Sequence, residues 1–183
     1  MPTENEKKFV LVPSHRLEEL VASLTKDHLA IEQGYLVTEP TVVRVRKSVH
    51  RQSEVTSYKM TVKHVGGWPK KRTIEVESPL DERDYRDMWP ATKCRVFKNR
   101  YLYAGWDVDF FYSLKHGLYF AMAEYEMPEG QEVPDEIPDL IQSHLLYAVP
   151  EQDRRFSSRK LGKVRYALGL LSWLSLKTQK RAV

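Results

Sequence analysis
The sequence predicts a mainly β, α+β protein: eight antiparallel strands closed into a barrel around a tunnel, with flanking α-helices. Three observations carry this expectation. Most of the chain alternates apolar and polar residues with the period of two that marks strands, and helical spacing is confined to four stretches. The 183 residues are 42% apolar and include 10 Tyr, 6 Phe and 4 Trp, enough to bury one sizeable core and too many for a disordered tail. On successive strands, finally, the polar face repeats one sign of charge, unlike the mixed polar face of an ordinary half-solvated sheet.

The first strand covers about residues 4–12, with Glu4, Glu6 and Lys8 on one face and Phe9 and Leu11 on the other. Pro13 and Ser14 then open a helix: the Ser14 hydroxyl can cap it, and Leu17, Leu20, Val21 and Leu24 follow at i, i+3, i+4 and i+7. Strand runs come next near 31–37, 41–49 and 54–64. Arg44 and Arg46 there oppose Val43 and Val45, and Lys59 and Lys63 oppose Met60 and Val62. Gly66-Gly67-Trp68-Pro69 reads as a hairpin tip leading to a run near 71–78, where Glu75 and Glu77 oppose Ile74 and Val76. Asp81 to Met88 fits a short helix closed by Trp89-Pro90. Runs near 94–104, 106–112 and 118–127 complete the eight strands. In these, Lys98 and Arg100 oppose Phe97 and Tyr101, Asp107 and Asp109 oppose Val108 and Phe110, and Glu124 and Glu126 oppose Ala123 and Tyr125. A helix fits Asp135 to Leu145. The last runs from about Ser158 to Lys177, weakened at Gly162 and Gly169 by up to about 1 kcal/mol each relative to Ala. Residues 1–161 read as the domain proper and 162–183 as its basic helical extension.

The net charge of +4 hides an asymmetry. From Arg154 to Val183 there are 9 Lys/Arg and no Asp/Glu, so the rest of the chain holds 29 − 9 = 20 basic against 25 acidic groups. Such a basic end suits a solvated helix face or an anionic partner; nucleic acid and a membrane surface both stay open, as does a homodimer. The most weakly polar stretch, Tyr166 to Leu176, is 11 residues long, short of the roughly 20 that span a bilayer. Met1 to Lys8 lacks the basic-then-apolar order of a secretory signal and Cys94 has no disulfide partner, which together predict a cytoplasmic location.

Two arrangements satisfy the charge pattern. A sheet can expose its charged face to water and form cross-strand salt bridges, each contributing a few tenths of a kcal/mol. Alternatively the charges line an enclosed face. The like-signed i, i+2 pairs repel one another along each strand, and a metal-bound polyphosphate relieves both sets, the cation meeting carboxylates and the anion meeting Arg and Lys.

These residues resemble the triphosphate tunnel metalloenzymes, the CYTH superfamily. The resemblance runs from Glu4-Asn5-Glu6-Lys7-Lys8 through Gln33-Gly34-Tyr35, Val43-Arg44-Val45-Arg46, Tyr58-Lys59-Met60-Thr61-Val62-Lys63 and Glu75-Val76-Glu77. It continues through Met88-Trp89-Pro90-Ala91-Thr92, Lys98-Asn99-Arg100, Asp107-Val108-Asp109 and Glu124-Tyr125-Glu126. It implies an eight-stranded tunnel that binds a triphosphate with Mg²⁺ or Mn²⁺. The implied metal ligands are Glu4, Glu6, Asp109, Glu124 and Glu126 with Asp107 beside them, and Glu75, Glu77 and Lys59 nearby. The implied phosphate grips are Lys8, Arg44, Arg46, Lys63 and Arg100, with Arg155 and Arg159 reaching back from the C-terminal segment. In the tripolyphosphatase members, which this chain resembles most, the positions of Tyr35 and Lys98 polarise the attacking water. Thr73 departs from the pattern, standing where the family usually has Arg.

The resemblance therefore implies hydrolysis of inorganic tripolyphosphate, with nucleoside triphosphates as weaker substrates. A class IV adenylyl cyclase, a thiamine triphosphatase and a non-catalytic polyphosphate-binding module are its rivals. Scattered His residues and a lone Cys argue against zinc, and no Gly-rich phosphate loop or nucleophile elbow is present.

Overall fold
The computed structural model describes residues 5–37, 41–65, 73–127, 137–150 and 153–179. Nine strands, β1 (Asn5–Leu11), β2 (His28–Val37), β3 (Thr41–His50), β4 (Thr56–Val65), β5 (Thr73–Leu80), β6 (Cys94–Tyr103), β7 (Trp106–Ser113), β8 (Gly117–Met127) and β9 (Leu145–Val149), form one sheet. Its order is β5-β4-β3-β2-β6-β7-β8-β1-β9, antiparallel throughout. The mainly β reading therefore holds, with two corrections. There are nine strands rather than eight, because Leu145–Val149, whose first residue was assigned to the end of a helix, pairs with β1. Among the described residues β5 and β9 are the two edges, so hydrogen bonding does not close the sheet into a barrel.

Helices cover both faces. On one face α1 (His15–Leu24) and α3 (Asp139–Ser143) seat Leu17, Val21 and Ile141 among Phe9, Leu11, Val108, Phe110, Ala121 and Ala123. The Ser14 hydroxyl caps α1 as expected, accepting from the Leu17 N–H at 3.4 Å. The buried stripe of α1 departs from the apolar spacing, however. Leu20 and Leu24 are exposed, while Glu18 is buried and accepts hydrogen bonds from Asn99 Nδ2 (2.8 Å), Tyr101 Oη (3.1 Å) and Tyr112 Oη. Three donors satisfy a carboxylate that would otherwise be costly to bury. On the same side of the sheet, α2 (Glu82–Met88), capped by Asp81, packs on β3 and β4.

On the opposite face, Val10, Val96, Phe111, Phe120 and Met122 join Phe156, Leu161, Ala167, Leu170 and Leu174 in a second core cluster. A bulge in β8 sets Phe111 opposite Phe120 but Tyr112 opposite Leu118, which leaves Tyr119 as the extra residue and turns it into this cluster. The long C-terminal helix of the sequence reading is two helices, α4 (Ser158–Leu161) and α5 (Val164–Gln179). Gly162 lies at the break, and no larger residue fits there, since a Cβ would collide with Val96 and come within 3.0 Å of the Arg95 carbonyl oxygen. Of the spacing Leu161, Val164, Leu168, Leu171 and Leu174, only Leu168 is exposed. No helix among the described residues is long and apolar enough to cross a membrane.

Gly34 is fixed by packing rather than by backbone angle. A Cβ there would overlap the Thr92 side chain, whose Cβ lies only 2.8 Å away and whose hydroxyl is tied to the Trp89 carbonyl at 2.7 Å. Gly34→Ala is accordingly expected to destabilise the fold by about 1–3 kcal/mol. Urea unfolding of the variant checks this, and an unchanged midpoint would mean that the Thr92 turn moves freely.

Candidate active site
Directly paired residues of antiparallel strands point to the same face, so the register shows which charged side chains share one. In sheet order that face carries Glu75 and Glu77 of β5, Lys59, Thr61 and Lys63 of β4, Arg44 and Arg46 of β3, and Gln33 and Tyr35 of β2. It continues with Lys98 and Arg100 of β6, Asp107 and Asp109 of β7, Glu124 and Glu126 of β8, and Glu6 and Lys8 of β1. A basic sector on β4, β3 and β6 thus adjoins an acidic sector on β7, β8 and β1. The face is not charged along its whole length: it shares its surface with the cluster around Phe111 and Phe120, which α4 and α5 cover. Glu4 lies outside the described residues, as do Lys71, Arg72, the Thr73 side chain and the Gly66–Pro69 tip.

Arg100 and Asp109 organise the boundary between the sectors. Asp109 is wholly buried and receives both Nε and Nη2 of Arg100 at 2.7 Å, together with the ammonium of Lys98, which is buried too. Arg100 also donates through Nη1 to Asp107 and reaches Glu124 at 3.3 Å. Burial alone would raise the Asp109 pKa, but Arg100 and Lys98 outweigh it and hold the carboxyl down at about 2. Burial, reinforced by Arg100, pushes Lys98 down to about 8. Burial pushes Asp107 upward, opposed by Arg100. Lys8 binds Glu6 at 2.8 Å and Glu124 at 3.4 Å; these carboxylates raise its pKa against the opposing effect of burial.

The basic sector is built differently. Arg44 donates to Thr61 Oγ1 at 2.9 Å and meets Glu77 at 3.3 Å, while Lys59 also reaches Glu77 and Lys63 pairs with Glu75. Among the described residues Arg46 has no carboxylate partner. Its Nε and Nη2 donate to the neutral Gln33 Oε1 at 3.3 and 3.2 Å, and Gln33 Nε2 donates in turn to the Tyr35 hydroxyl at 3.0 Å. Burial first, and then repulsion from Arg44 and Arg100, pushes the Arg46 pKa down to about 10. Gln33 and Thr61, both buried, are the members of the face that charge patterning missed; for Thr61 its place between Lys59 and Lys63 on one strand face was the signal available, whereas Gln33 stands between Ile31 and Tyr35 and gave none.

Tyr35, Arg155 and Arg159 have partners of their own. Tyr35 pairs with Cys94, four residues from Lys98 along β6, or roughly 13 Å of strand. Its ring belongs to the apolar cluster, and burial raises its pKa. Arg155 binds Asp153 through Nε and Nη2 and stacks 4.5 Å from the Trp173 ring, neither of which belongs to the charged sectors. Arg159 offers its backbone carbonyl to Cys94 Sγ at 3.3 Å.

Glu6 and Glu126 are direct cross-strand partners of like charge, and Glu126 has no hydrogen-bond or ion-pair partner among the described residues. Hard oxygen donors in that opposition fit a Mg²⁺ or Mn²⁺ ion. Among the described residues no three Asp, Glu, His or Cys side chains enclose an ion by themselves. Mg²⁺ does not require this, since it is commonly held by one or two carboxylates together with water and substrate phosphate.

No protein-family model matches the chain, and no curated protein matches it in sequence. Among solved structures, a Bacillus halodurans protein named as a candidate adenylate cyclase is 14% identical over 84% of this chain and 97% of its own, with a TM-score of 0.52. A Hippeastrum protein named as a candidate adenylyl cyclase with dominant triphosphatase activity is 12% identical over 68% of this chain and 79% of its own, at 0.45. A conserved Pyrococcus furiosus protein of unstated function is 17% identical over 77% of this chain and 87% of its own, at 0.44. The chain shares its fold with the Bacillus halodurans protein; the other two overlaps are too loose to add to that.

Proposed function
We propose that this chain is a divalent-metal-dependent triphosphatase whose preferred substrate is inorganic tripolyphosphate, cleaved to pyrophosphate and phosphate. The observation that carries the reading is Arg46, a partly buried cation near Arg44 and Arg100 whose hydrogen bonds among the described residues go only to the amide oxygen of Gln33. A buried charge left in that state is poised for an anion from outside, and its planar fork suits phosphate oxygens. Arg44 and Lys63 extend the same grip along β3 and β4.

Water attacks the terminal phosphorus, the bond from that phosphorus to its bridging oxygen breaks, and pyrophosphate leaves. Arg44 and Arg46 neutralise charge on the oxygens of the transferred group, while Gln33, braced by the Tyr35 hydroxyl, holds the Arg46 guanidinium in its plane. Lys98 and Arg100 fix Asp109, and through it the boundary of the two sectors. Glu6 and Glu126 are the residues that would hold Mg²⁺ or Mn²⁺, which when bound would screen phosphate charge and favour departure of the leaving group.

Inorganic substrate is preferred over nucleotide because, among the described residues, the two charged sectors carry no aromatic ring on which a base could stack, Tyr35 being sunk in the apolar cluster. Cyclisation of ATP is the second reading, favoured by the name of the Bacillus halodurans protein that shares the fold. Incubation with Mg²⁺ or Mn²⁺ and tripolyphosphate, ATP, GTP or thiamine triphosphate separates them: orthophosphate identifies the hydrolase, whereas pyrophosphate with cyclic AMP identifies the cyclase. Glu126→Gln should lower metal-dependent turnover by about 10²-fold or more, shift the metal optimum upward and leave the melting temperature unchanged or raised. Normal turnover at the wild-type metal optimum would move the metal site elsewhere.

A further inference from the structure
Helix α5 is apolar nearly all round. It carries no charged residue between Arg165 and Lys177, yet only one side of it is covered. Ala167, Leu170 and Leu174 join the core cluster of Phe120 and Phe156, whereas Tyr166, Leu168, Gly169, Ser172, Trp173 and Leu176 are exposed, Leu176 at 61%. At 3.6 residues per turn those six positions fall on one arc, on the side away from that core. A helix apolar on every side is ordinarily buried, and a solvated helix face is ordinarily charged; this arc is neither.

The charges around the arc indicate what covers it. From Arg154 to Val183 the chain has 9 Lys/Arg and no Asp/Glu. Lys163 and Arg165 are exposed at the start of the helix, and Lys177 near its end stands 5.0 Å from the Trp173 ring, which also takes the Arg155 guanidinium at 4.5 Å. Asp153, just before this run, is held by Arg155 at 2.6 Å. The occupant must therefore offer apolar volume to the arc and negative charge to both ends of the helix. A second copy does not. Laid antiparallel, it sets Lys163 and Arg165 beside the other copy's Lys177; laid parallel, it sets like beside like, and neither helix has a carboxylate to relieve the repulsion. A nucleic acid meets the charge but leaves Leu168 and Leu176 in water. An anionic bilayer meets both demands, its headgroups taking the cations and its acyl boundary the arc. At 16 residues, roughly 24 Å, α5 is too short to cross a bilayer and would lie along it.

We propose that α5 docks this protein on anionic phospholipid membranes, lying in the interface with Leu168, Trp173 and Leu176 at the acyl boundary and the flanking Lys and Arg side chains on the headgroups. The test sediments the full chain with vesicles of phosphatidylcholine alone or of phosphatidylcholine with phosphatidylserine. Binding to the anionic vesicles is expected to be at least about ten-fold tighter than to the neutral ones at low salt. The double variant Leu168→Ser/Leu176→Ser trims two exposed side chains, so it should keep the melting temperature and weaken anionic-vesicle binding about ten-fold or more. Quenching of wild-type tryptophan emission by lipid brominated in the acyl chains reports the same insertion without any variant. Light scattering and a single-stranded oligonucleotide test the rival occupants. Equal binding to neutral and anionic vesicles, undiminished binding by the double variant, or absence of quenching overturns the proposal. So does a wild-type dimer that the double variant splits, or oligonucleotide binding in place of vesicle binding.

Discussion

Arg46→Gln leaves the protein folded and lowers kcat/KM for tripolyphosphate by about 10²–10³-fold, the scale expected when a positioned donor to a developing anion is lost. The same substitution leaves the melting temperature unchanged or raises it. Arg46 has no carboxylate partner among the described residues to strand, and burial holds its pKa down, so the folded protein disfavours its charge. Activity and stability thus move in opposite directions, which a merely structural arginine would not produce. Assays at several substrate concentrations, alongside thermal melts, decide the matter. Parallel losses in both would make Arg46 a structural residue and remove the main support for triphosphate binding.

Arg100→Leu has the reverse signature. It takes the partner from Asp109, Asp107 and Glu124 at once, leaving a buried carboxylate with Lys98 alone, and is expected to destabilise the fold by about 3–5 kcal/mol. The pH profile supplies a second readout. Asp109 sits at about 2 in the folded protein against an ordinary carboxylate value near 3.9, so the folded state binds fewer protons across that interval. Its contribution, roughly 2–3 kcal/mol, is complete above the unfolded value and is lost as pH falls through about 2. Wild-type unfolding free energies measured in urea between pH 2 and 6 should therefore fall steeply at the acid end, and Arg100→Leu should flatten that limb. Parallel curves for the two proteins would show that Arg100 is not what holds Asp109 ionised.

Much of this was legible in the amino-acid order because alternation is a local property. Glu75 and Glu77, Lys98 and Arg100, and Asp107 and Asp109 each declare a shared face through a spacing of two, without knowledge of neighbouring strands. Register is not local. Nothing in Gln33-Gly34-Tyr35 says that Tyr35 pairs with Cys94 rather than with Lys98, and so the four-residue offset between their positions in the register was invisible. The run Leu145-Leu146-Tyr147-Ala148-Val149 is uniformly apolar and equally compatible with a helix end or a buried strand, which is why β9 was missed. Glu18 escaped notice because a carboxylate at a core position is readable only once Asn99, Tyr101 and Tyr112, more than 80 residues away, are seen to converge on it.

The sheet order carries a consequence for biosynthesis. Strands β2 to β5 form one run of consecutive hairpins and β6 to β8 another, and either can zip up from neighbours just made. β1 cannot, because it lies between β8 and β9, and the Glu6–Glu126 pairing spans about 120 residues of chain. During synthesis at about 5–20 residues per second the first strand therefore waits several seconds for both of its partners. The acidic sector is completed only when β1 docks between two strands made well after it.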